Sequence, residues 1–101
     1  MWVILPKVLA TDSPEPISAS ALMVARAVVQ AKRSNGAAVL MGDITNLAVG
    51  VGFELSAPDA SRPLDKMEML SGNGVGNNLN LSSVYLLGSI GEGVNVYYEI
   101  Y

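Results

Sequence analysis

The side chains that could carry chemistry are carboxylates, hydroxyls, lysines and tyrosines, because the 101-residue sequence contains no histidine and no cysteine. Thiolate zinc sites, cysteine nucleophiles and histidine-based catalytic triads are therefore excluded. A glycosidase needs two carboxyl groups facing across a cleft, and a bound cation needs several converging oxygens. We expect no enzyme activity, no metal and no cofactor, since the carboxylates are spread along the whole chain. They are Asp12, Glu15, Asp43, Glu54, Asp59, Asp65, Glu68, Glu92 and Glu99.

Three glycine-rich segments are candidates for a phosphate-binding loop, since backbone N–H groups in such loops bind anions. They are residues 50–52, 72–76 and 88–93. None is followed by the Lys-Ser/Thr pair of a P-loop, and none stands between a clear strand and a clear helix. We interpret all three as turns or hairpin tips, where Gly and Asn are common.

The charge balance argues against nucleic acid as a partner. Six basic residues stand against nine acidic ones, the net charge is −3 and the isoelectric point is near 4.6. The adjacent cations Lys32 and Arg33 are interpreted as solvated or as paired with an acidic neighbour. Uncharged runs are far shorter than the ~20 apolar residues of a membrane-spanning helix, and the N-terminal residues lack the order of a secretory signal. We expect no membrane partner either.

The composition points to a small domain that gains stability from partners. Half of the residues are apolar and 15% are charged, which is typical of one folded domain. A chain of this size buries roughly 60–65% of its unfolded surface, so its core is modest. Trp2, Tyr85, Tyr97, Tyr98 and Tyr101 combine apolar area with a polar group, which suits an interface. Ordinary packing in a small β domain explains these aromatic residues equally well.

The N-terminal residues predict an extended arm. Residues 1–10 are mostly apolar, and Thr11–Pro16 forms a stiff linker because each proline restricts its own backbone and that of the residue before it. We therefore divide the chain into an arm with its linker, residues 1–16, and a β-sandwich domain, residues 17–101. The alternative is that the apolar segment is simply the first strand of the sandwich.

The rest of the chain predicts an all-β fold, a small antiparallel β-sandwich of jelly-roll type. Short apolar runs bounded by turn residues follow each other with no second helical pattern between them. In the last run, alternation puts Val94 and Val96 on one face, and a shift of phase predicts a bulge or kink near Ser82 and Ser83. The five runs are Ala37–Met41, Leu47–Leu55, Leu64–Leu70, Leu79–Leu87 and Val94–Tyr101.

Residues 18–33 are ambiguous between helix and strand. The segment is rich in alanine, begins with a possible Ser18 N-cap and ends before Asn35-Gly36, which favours a helix. It also alternates, with Ala27 and Val29 on one side and Val28 on the other. Local propensity alone favours the helix.

The order of these patterns resembles small bacteriophage virion β-sandwich proteins of the capsid decoration, or cement, type. The similar segments are the opening ATDSPEPISAS, the hairpin-like AVVQAKRSNGAAVLMGD, the segment GFELSA and the closing LNLSSVYLLGSIGEGVNVYYEIY, so that the resemblance covers roughly residues 10–101. One departure is the missing glycine of the turn after GFELSA, near Pro58. The resemblance implies that Arg26–Lys32 is a strand paired in a hairpin with Ala37–Met41, leaving a short helix at Ser18–Ala25 as the alternative.

The resemblance also implies a function, that of a virion structural protein that binds the outside of an assembled capsid and reinforces it. Its partners would be the major capsid protein and further copies of itself, a homotrimer in preference to a dimer. The protein would be made in the host cytoplasm and reside on the capsid surface of the virion. The expected contact residues are those of the apolar arm and two tyrosines, namely Trp2, Ile4, Leu5, Val8, Tyr97 and Tyr101.

Two other functions stay open from the sequence. A tail or head-fibre component would use the same sandwich and present the loop Ser71–Asn80 to a receptor. A small carbohydrate-binding module would use Trp2 or the tyrosines to stack on sugars.

Overall fold

In the computed structural model, the chain forms antiparallel β-strands connected by loops and one turn of 3-10 helix. The structure describes residues 2–44, 47–48, 52–57, 64–70 and 79–100. Most of the long strands contain valine, leucine or methionine at alternate positions, the pattern that suits a sheet with one buried face. The strands are β1 (Trp2–Val8), β2 (Glu15–Pro16), β3 (Met23–Val24), β4 (Arg26–Ala31), β5 (Val39–Gly42), β6 (Phe53–Leu55), β7 (Lys66–Leu70), β8 (Leu79–Asn80), β9 (Tyr85–Leu87) and β10 (Gly93–Glu99).

The strand pairing follows one rule, in which each strand pairs with the strand at the mirrored position in the chain. The antiparallel pairs are β1 with β10, β2 with β9, β3 with β8, β4 with β7, and β5 with β6. The described chain is thus laid out as one long hairpin, in which β1–β5 form one half and β6–β10 form the other. Two further pairings, β10 with β4 and β5 with β9, roll this hairpin into sheets.

The rolled hairpin gives two four-stranded sheets with the orders β1-β10-β4-β7 and β2-β9-β5-β6, and a short pair β3-β8. Two antiparallel sheets connected in this way form a jelly roll. The predicted all-β class and small antiparallel sandwich are therefore confirmed. We call the sheet that contains β1 the first sheet and the sheet that contains β2 the second sheet.

The core lies between the two sheets and is built from alternate residues of each strand. In the first sheet, Ala27, Val29 and Ala31 of β4 are buried beside Val94 and Val96 of β10. The predicted alternation of the last strand is thus confirmed at these two valines. The second sheet contributes its own buried residues, namely Val39, Met41, Leu55 and Leu86.

The apolar N-terminal segment is the first strand rather than a projecting arm. Trp2–Val8 is extended, as predicted, but it is paired with β10 along its whole length. Leu5 turns inward and packs against the core, which holds the strand to the sheet. This corrects the arm interpretation and agrees with the alternative that the segment is the first strand of the sandwich.

The ambiguous segment contains strands and no helix. Arg26–Ala31 forms strand β4, as the resemblance implied. The alternative, a short helix at Ser18–Ala25, was wrong. The N–H groups of Leu22 and Ala25 donate to Asn80 Oδ1 and to the carbonyl of Glu99, at 3.1 and 2.7 Å, so neither is available for the i to i−4 bonds of a helix. Tertiary pairing of this kind overrides the helical propensity of alanine.

The predicted hairpin between Arg26–Lys32 and Ala37–Met41 was also wrong. Strand β4 pairs with β10 and β7 in the first sheet, while β5 pairs with β6 and β9 in the second. The residues between them cross from one sheet to the other instead of turning back. The physical reason is that the side chain of Asn35 is bound by the backbone of β10, as described below.

The kink predicted near Ser82 and Ser83 is confirmed as a turn of 3-10 helix, Leu81–Ser83, between β8 and β9. Asn80 Oδ1 accepts hydrogen bonds from the N–H groups of Ser82 and Leu22, at 3.0 and 3.1 Å. This turn changes the direction of the chain and places Leu81 in the core. Part of the predicted strand Leu47–Leu55 lies outside the described residues.

Asn35 connects the turn after β4 to β10 at one end of the first sheet. Its Nδ2 donates to the carbonyl of Gly93 at 2.8 Å, and its Oδ1 accepts from the N–H of Gly93 at 2.9 Å. Asn35 is 6% exposed, and within the described part of the chain it is the one buried polar side chain. Position 93 must be a glycine, because a Cβ there would clash with the carbonyl oxygen of Lys7 in β1.

We expect Asn35→Ala to lower the free energy of unfolding by about 2–3 kcal/mol, since the buried N–H of Gly93 would lose its partner. Urea unfolding followed by circular dichroism measures the change. The matched control is Ser34→Ala at the exposed neighbour, with an expected change below about 0.5 kcal/mol. Equal losses in the two variants would contradict this role of Asn35.

Candidate functional site

Strand β1 carries a row of exposed side chains on the outer surface of the first sheet. Exposure alternates along the strand, and Trp2, Ile4 and Val8 are 45%, 64% and 51% exposed. The alternation follows from the pleat of a strand, which sends successive side chains to opposite faces. Three large apolar residues therefore point to solvent from one strand.

Neighbouring strands extend this row across the sheet. Ile4 lies opposite Tyr97 of β10, and Tyr97 lies opposite Val28 of β4. The Tyr97 hydroxyl donates a long hydrogen bond of 3.5 Å to Oε1 of Gln30. We call the surface formed by Trp2, Ile4, Val8, Val28 and Tyr97 the β1 face.

One end of the β1 face holds a tryptophan, an arginine and a glutamate in contact. The Arg26 guanidinium carbon lies 4.8 Å from the centre of the Trp2 ring. Arg26 Nε is 3.5 Å from Glu99 Oε1, and Glu99 is the strand neighbour of both residues. A cation over an exposed indole contributes about 0.5–1 kcal/mol, so Arg26 restrains the Trp2 ring on the surface.

The structure brings together four of the six predicted contact residues. Trp2, Ile4, Val8 and Tyr97 share the β1 face. Leu5 points to the opposite side and packs against the core, so it does not share this surface. Tyr101 lies outside the described residues, as do Asp59 and the loop residues 71–78.

Two residues were not predicted as contacts, namely Val28 of the β1 face and Arg26 at its end. Val28 could have been found from the sequence, because it alternates with the buried Ala27 and Val29. The contact between Arg26 and Trp2 had no signal in the sequence, since it depends on β10 lying between β1 and β4.

The backbone N–H and C=O groups of β1 point alternately toward β10 and toward the open edge of the sheet. Leu9 donates to the carbonyl of Glu92 at 2.8 Å and accepts from the N–H of Gly91 at 3.0 Å, so odd-numbered residues turn their backbone groups toward β10. Even-numbered residues therefore turn theirs toward the open edge of the sheet. One of these is Pro6, which has no N–H and so weakens pairing with a further strand. The face of β1 is thus a better candidate contact surface than its edge.

An ion pair on the inner side attaches β1 to β2. Lys7 Nζ lies 3.1 Å from Glu15 Oε1, and Glu15 Oε2 accepts from the N–H groups of Ala10 and Thr11, both at 2.8 Å. Partial burial acts to raise the pKa of Glu15, but the hydrogen bonds from Thr11, Lys7 and Ala10 outweigh it, so the pKa is lowered. The folded protein therefore favours ionised Glu15.

The remaining candidate groups have simple positions in the fold. Residues 88–92 connect β9 to β10, as predicted for a turn, and Gly91 has a φ of 92° that favours glycine. The segment 72–76 and residues 50 and 51 lie outside the described part. In the part that is described, no three carboxylates group together as a metal site would require. No helix among the described residues is long and apolar enough to span a membrane.

The fold and the β1 face define this chain as a small antiparallel jelly roll with an exposed apolar sheet surface. Comparisons with protein-family models, curated proteins and solved structures find no match to it.

We expect Glu15→Gln to lower the free energy of unfolding by about 1 kcal/mol at pH 7. Because folding lowers the pKa of Glu15, its ionised form stabilises the protein above the unfolded-state pKa of about 4.3. That stabilisation disappears as the pH falls through the folded-state pKa. The difference between the two proteins should therefore shrink as the pH falls and vanish once Glu15 is protonated in the folded protein, as measured by urea unfolding across the pH range.

Glu68→Gln is the matched control for this measurement, because Glu68 is exposed and makes no ion pair in the described part of the chain. Its effect should stay below about 0.5 kcal/mol. A loss in Glu15→Gln that does not change with pH would contradict the role of the ionised carboxylate.

Proposed function

We propose that this chain is a bacteriophage capsid decoration protein that attaches to the assembled shell through the β1 face. It acts by binding and not by catalysis, and it resides on the capsid surface of the virion. The observation that carries the proposal is the row of exposed apolar side chains on one sheet surface, with Ile4 64% exposed. The resemblance of the sequence to decoration proteins supplies the kind of partner.

The composition of the β1 face supports a protein partner. Trp2, Tyr97 and Arg26 are the residue types enriched where binding energy is concentrated in protein interfaces. They lie together on a regular sheet surface, with Arg26 restraining the Trp2 ring. A restrained aromatic residue loses little conformational freedom on binding, which favours affinity.

The strength of a single contact suggests why a lattice is the proposed target. Burying the exposed parts of Ile4 and Val8 contributes on the order of 1 kcal/mol for each residue. That alone gives weak binding of one chain to one site. A shell repeats the site by symmetry, and an oligomer of this chain would bind several sites at once, so avidity raises the overall affinity.

The other functions left open by the sequence have less support from the β1 face. A carbohydrate-binding module stacks sugars on open aromatic rings, and Arg26 occupies one face of Trp2. A fibre component would use the loop Ser71–Asn80, most of which lies outside the described residues. The jelly-roll fold itself serves both capsid and lectin domains and so does not separate these functions.

We expect Ile4→Ser to weaken binding to the shell by about tenfold, since an apolar side chain at the contact is lost. The test is co-sedimentation of the purified chain with shells assembled from the major capsid protein of the same genome. Ile90→Ser is the matched control, because Ile90 is also 64% exposed but lies outside the β1 face. Its affinity should equal that of the unaltered chain.

Two results would overturn the proposal. One is equal binding by Ile4→Ser and the unaltered chain. The other is equal weakening by the two isoleucine variants, which would indicate general surface adhesion. Urea unfolding of both variants verifies that each still folds, since each replaces a mostly exposed side chain.

A further inference from the structure

A second candidate site lies on the outer surface of the second sheet, on the opposite side of the sandwich from the β1 face. Val39 and Met41 point into the core, so Leu40 between them points outward, beside its strand partner Leu87. These two leucines form the floor of a groove with a volume of about 350 Å³. The groove is lined by Asp12, Ala38, Leu40, Leu87, Gly88 and Ser89.

One carboxylate lines this groove, and a second lies on the neighbouring strand. Asp12 is exposed, and its Oδ1 accepts a hydrogen bond of 3.3 Å from the N–H of Ile90, which fixes the carboxylate at the rim. Glu54 is the exposed strand neighbour of Leu40 on the other side. Within the described residues neither carboxylate has a cationic partner. An apolar floor with a carboxylate at its rim suits a long cationic side chain, whose methylene groups pack on leucine while its charge meets the carboxylate.

The same chain carries an exposed cation, Arg33, whose charge is opposite to that of the groove's carboxylate. Arg33 is exposed on the turn after β4, next to Lys32, and neither cation has an ion-pair partner in the part of the chain that is described. The turn is rigid, because Lys32 donates to the carbonyl of Gly93 at 3.2 Å and Asn35 donates to the carbonyl of Lys32 at 3.1 Å. Arg33 is therefore exposed on a hydrogen-bonded turn at one end of the first sheet.

We propose that the groove binds Arg33 of a second copy of this chain. The aliphatic part of the arginine packs on Leu40 and Leu87, and its guanidinium pairs with Asp12. Charge complementarity carries the choice of occupant, because Arg33 and Asp12 are both exposed in one copy and neither has an ion-pair partner among the described residues. Arginine suits such a site better than lysine, since its planar group can bond both oxygens of a carboxylate.

The geometry of this contact has a consequence for assembly. The donor turn and the receiving groove are different surfaces, so the contact is heterologous, and heterologous contacts close into rings when the rotation between copies allows it. A ring of this kind accords with the expected homotrimer. The receiving groove is on the second sheet, away from the β1 face, whereas the donor turn is at one end of the first sheet. The inference does not rest on the proposed capsid function.

The test is sedimentation velocity of the purified chain over micromolar concentrations, with a charge exchange at the two residues. We expect the unaltered chain to form a discrete oligomer, and Asp12→Arg and Arg33→Asp each to raise its dissociation constant at least about tenfold. The double variant Asp12→Arg with Arg33→Asp restores the opposite charges in exchanged positions. It should recover most of the lost affinity.

Glu68→Arg and Lys66→Asp are the matched controls, since they make similar charge changes at exposed residues of the first sheet. They should leave the oligomer unchanged. A monomeric unaltered chain, equal losses in the control variants, or a double variant no better than the single ones would each overturn the proposal. Binding to shells is not used as a readout, so a failure here is separate from a failure of the β1 face.

Discussion

Each strand pairs with the strand at the mirrored position in the chain, and this constraint decides which residues meet. It makes β1 and β10 neighbours although they are furthest apart in sequence, so Ile4 lies beside Tyr97. The long hairpin that results has an apolar side, and it removes that side from water by rolling over onto itself. The inner surfaces then become the core, whereas the two outer surfaces stay available for partners.

The rolled hairpin must cross between sheets, and Asn35 stabilises that crossing. Its amide gives Gly93 the pair of hydrogen bonds that a neighbouring strand would supply. The same end of the sheet holds Val8 of the β1 face, beside Gly93, and Arg33 on the adjoining turn. Val8 of the β1 face and the proposed donor Arg33 thus both lie next to one buried side-chain amide.

Local patterns in the sequence predicted the strands better than their partners. Alternation located the buried Val94 and Val96, and the change of phase near Ser82 located the turn between β8 and β9. The hairpin through Asn35 was mispredicted, because an Asn-Gly pair also occurs where a side chain binds a distant strand. The contact face was only partly predictable: alternation shows which β1 residues share a surface, but whether Leu5 or Ile4 faces the core depends on the second sheet.

The distribution of side-chain size would connect the proposed assembly with the stability of the fold. The inward residues of β4 are Ala27, Val29 and Ala31, which bury little area each, while larger residues such as Trp2 and Ile4 stay outside. Apolar area that could stabilise the fold is therefore left for contacts between proteins. A partner that binds only the folded chain stabilises it by about 2.7 kcal/mol at a hundred times its dissociation constant. For a domain with so modest a core, that contribution is a large part of the usual stability, so the proposed contacts would strengthen the fold and the assembly together.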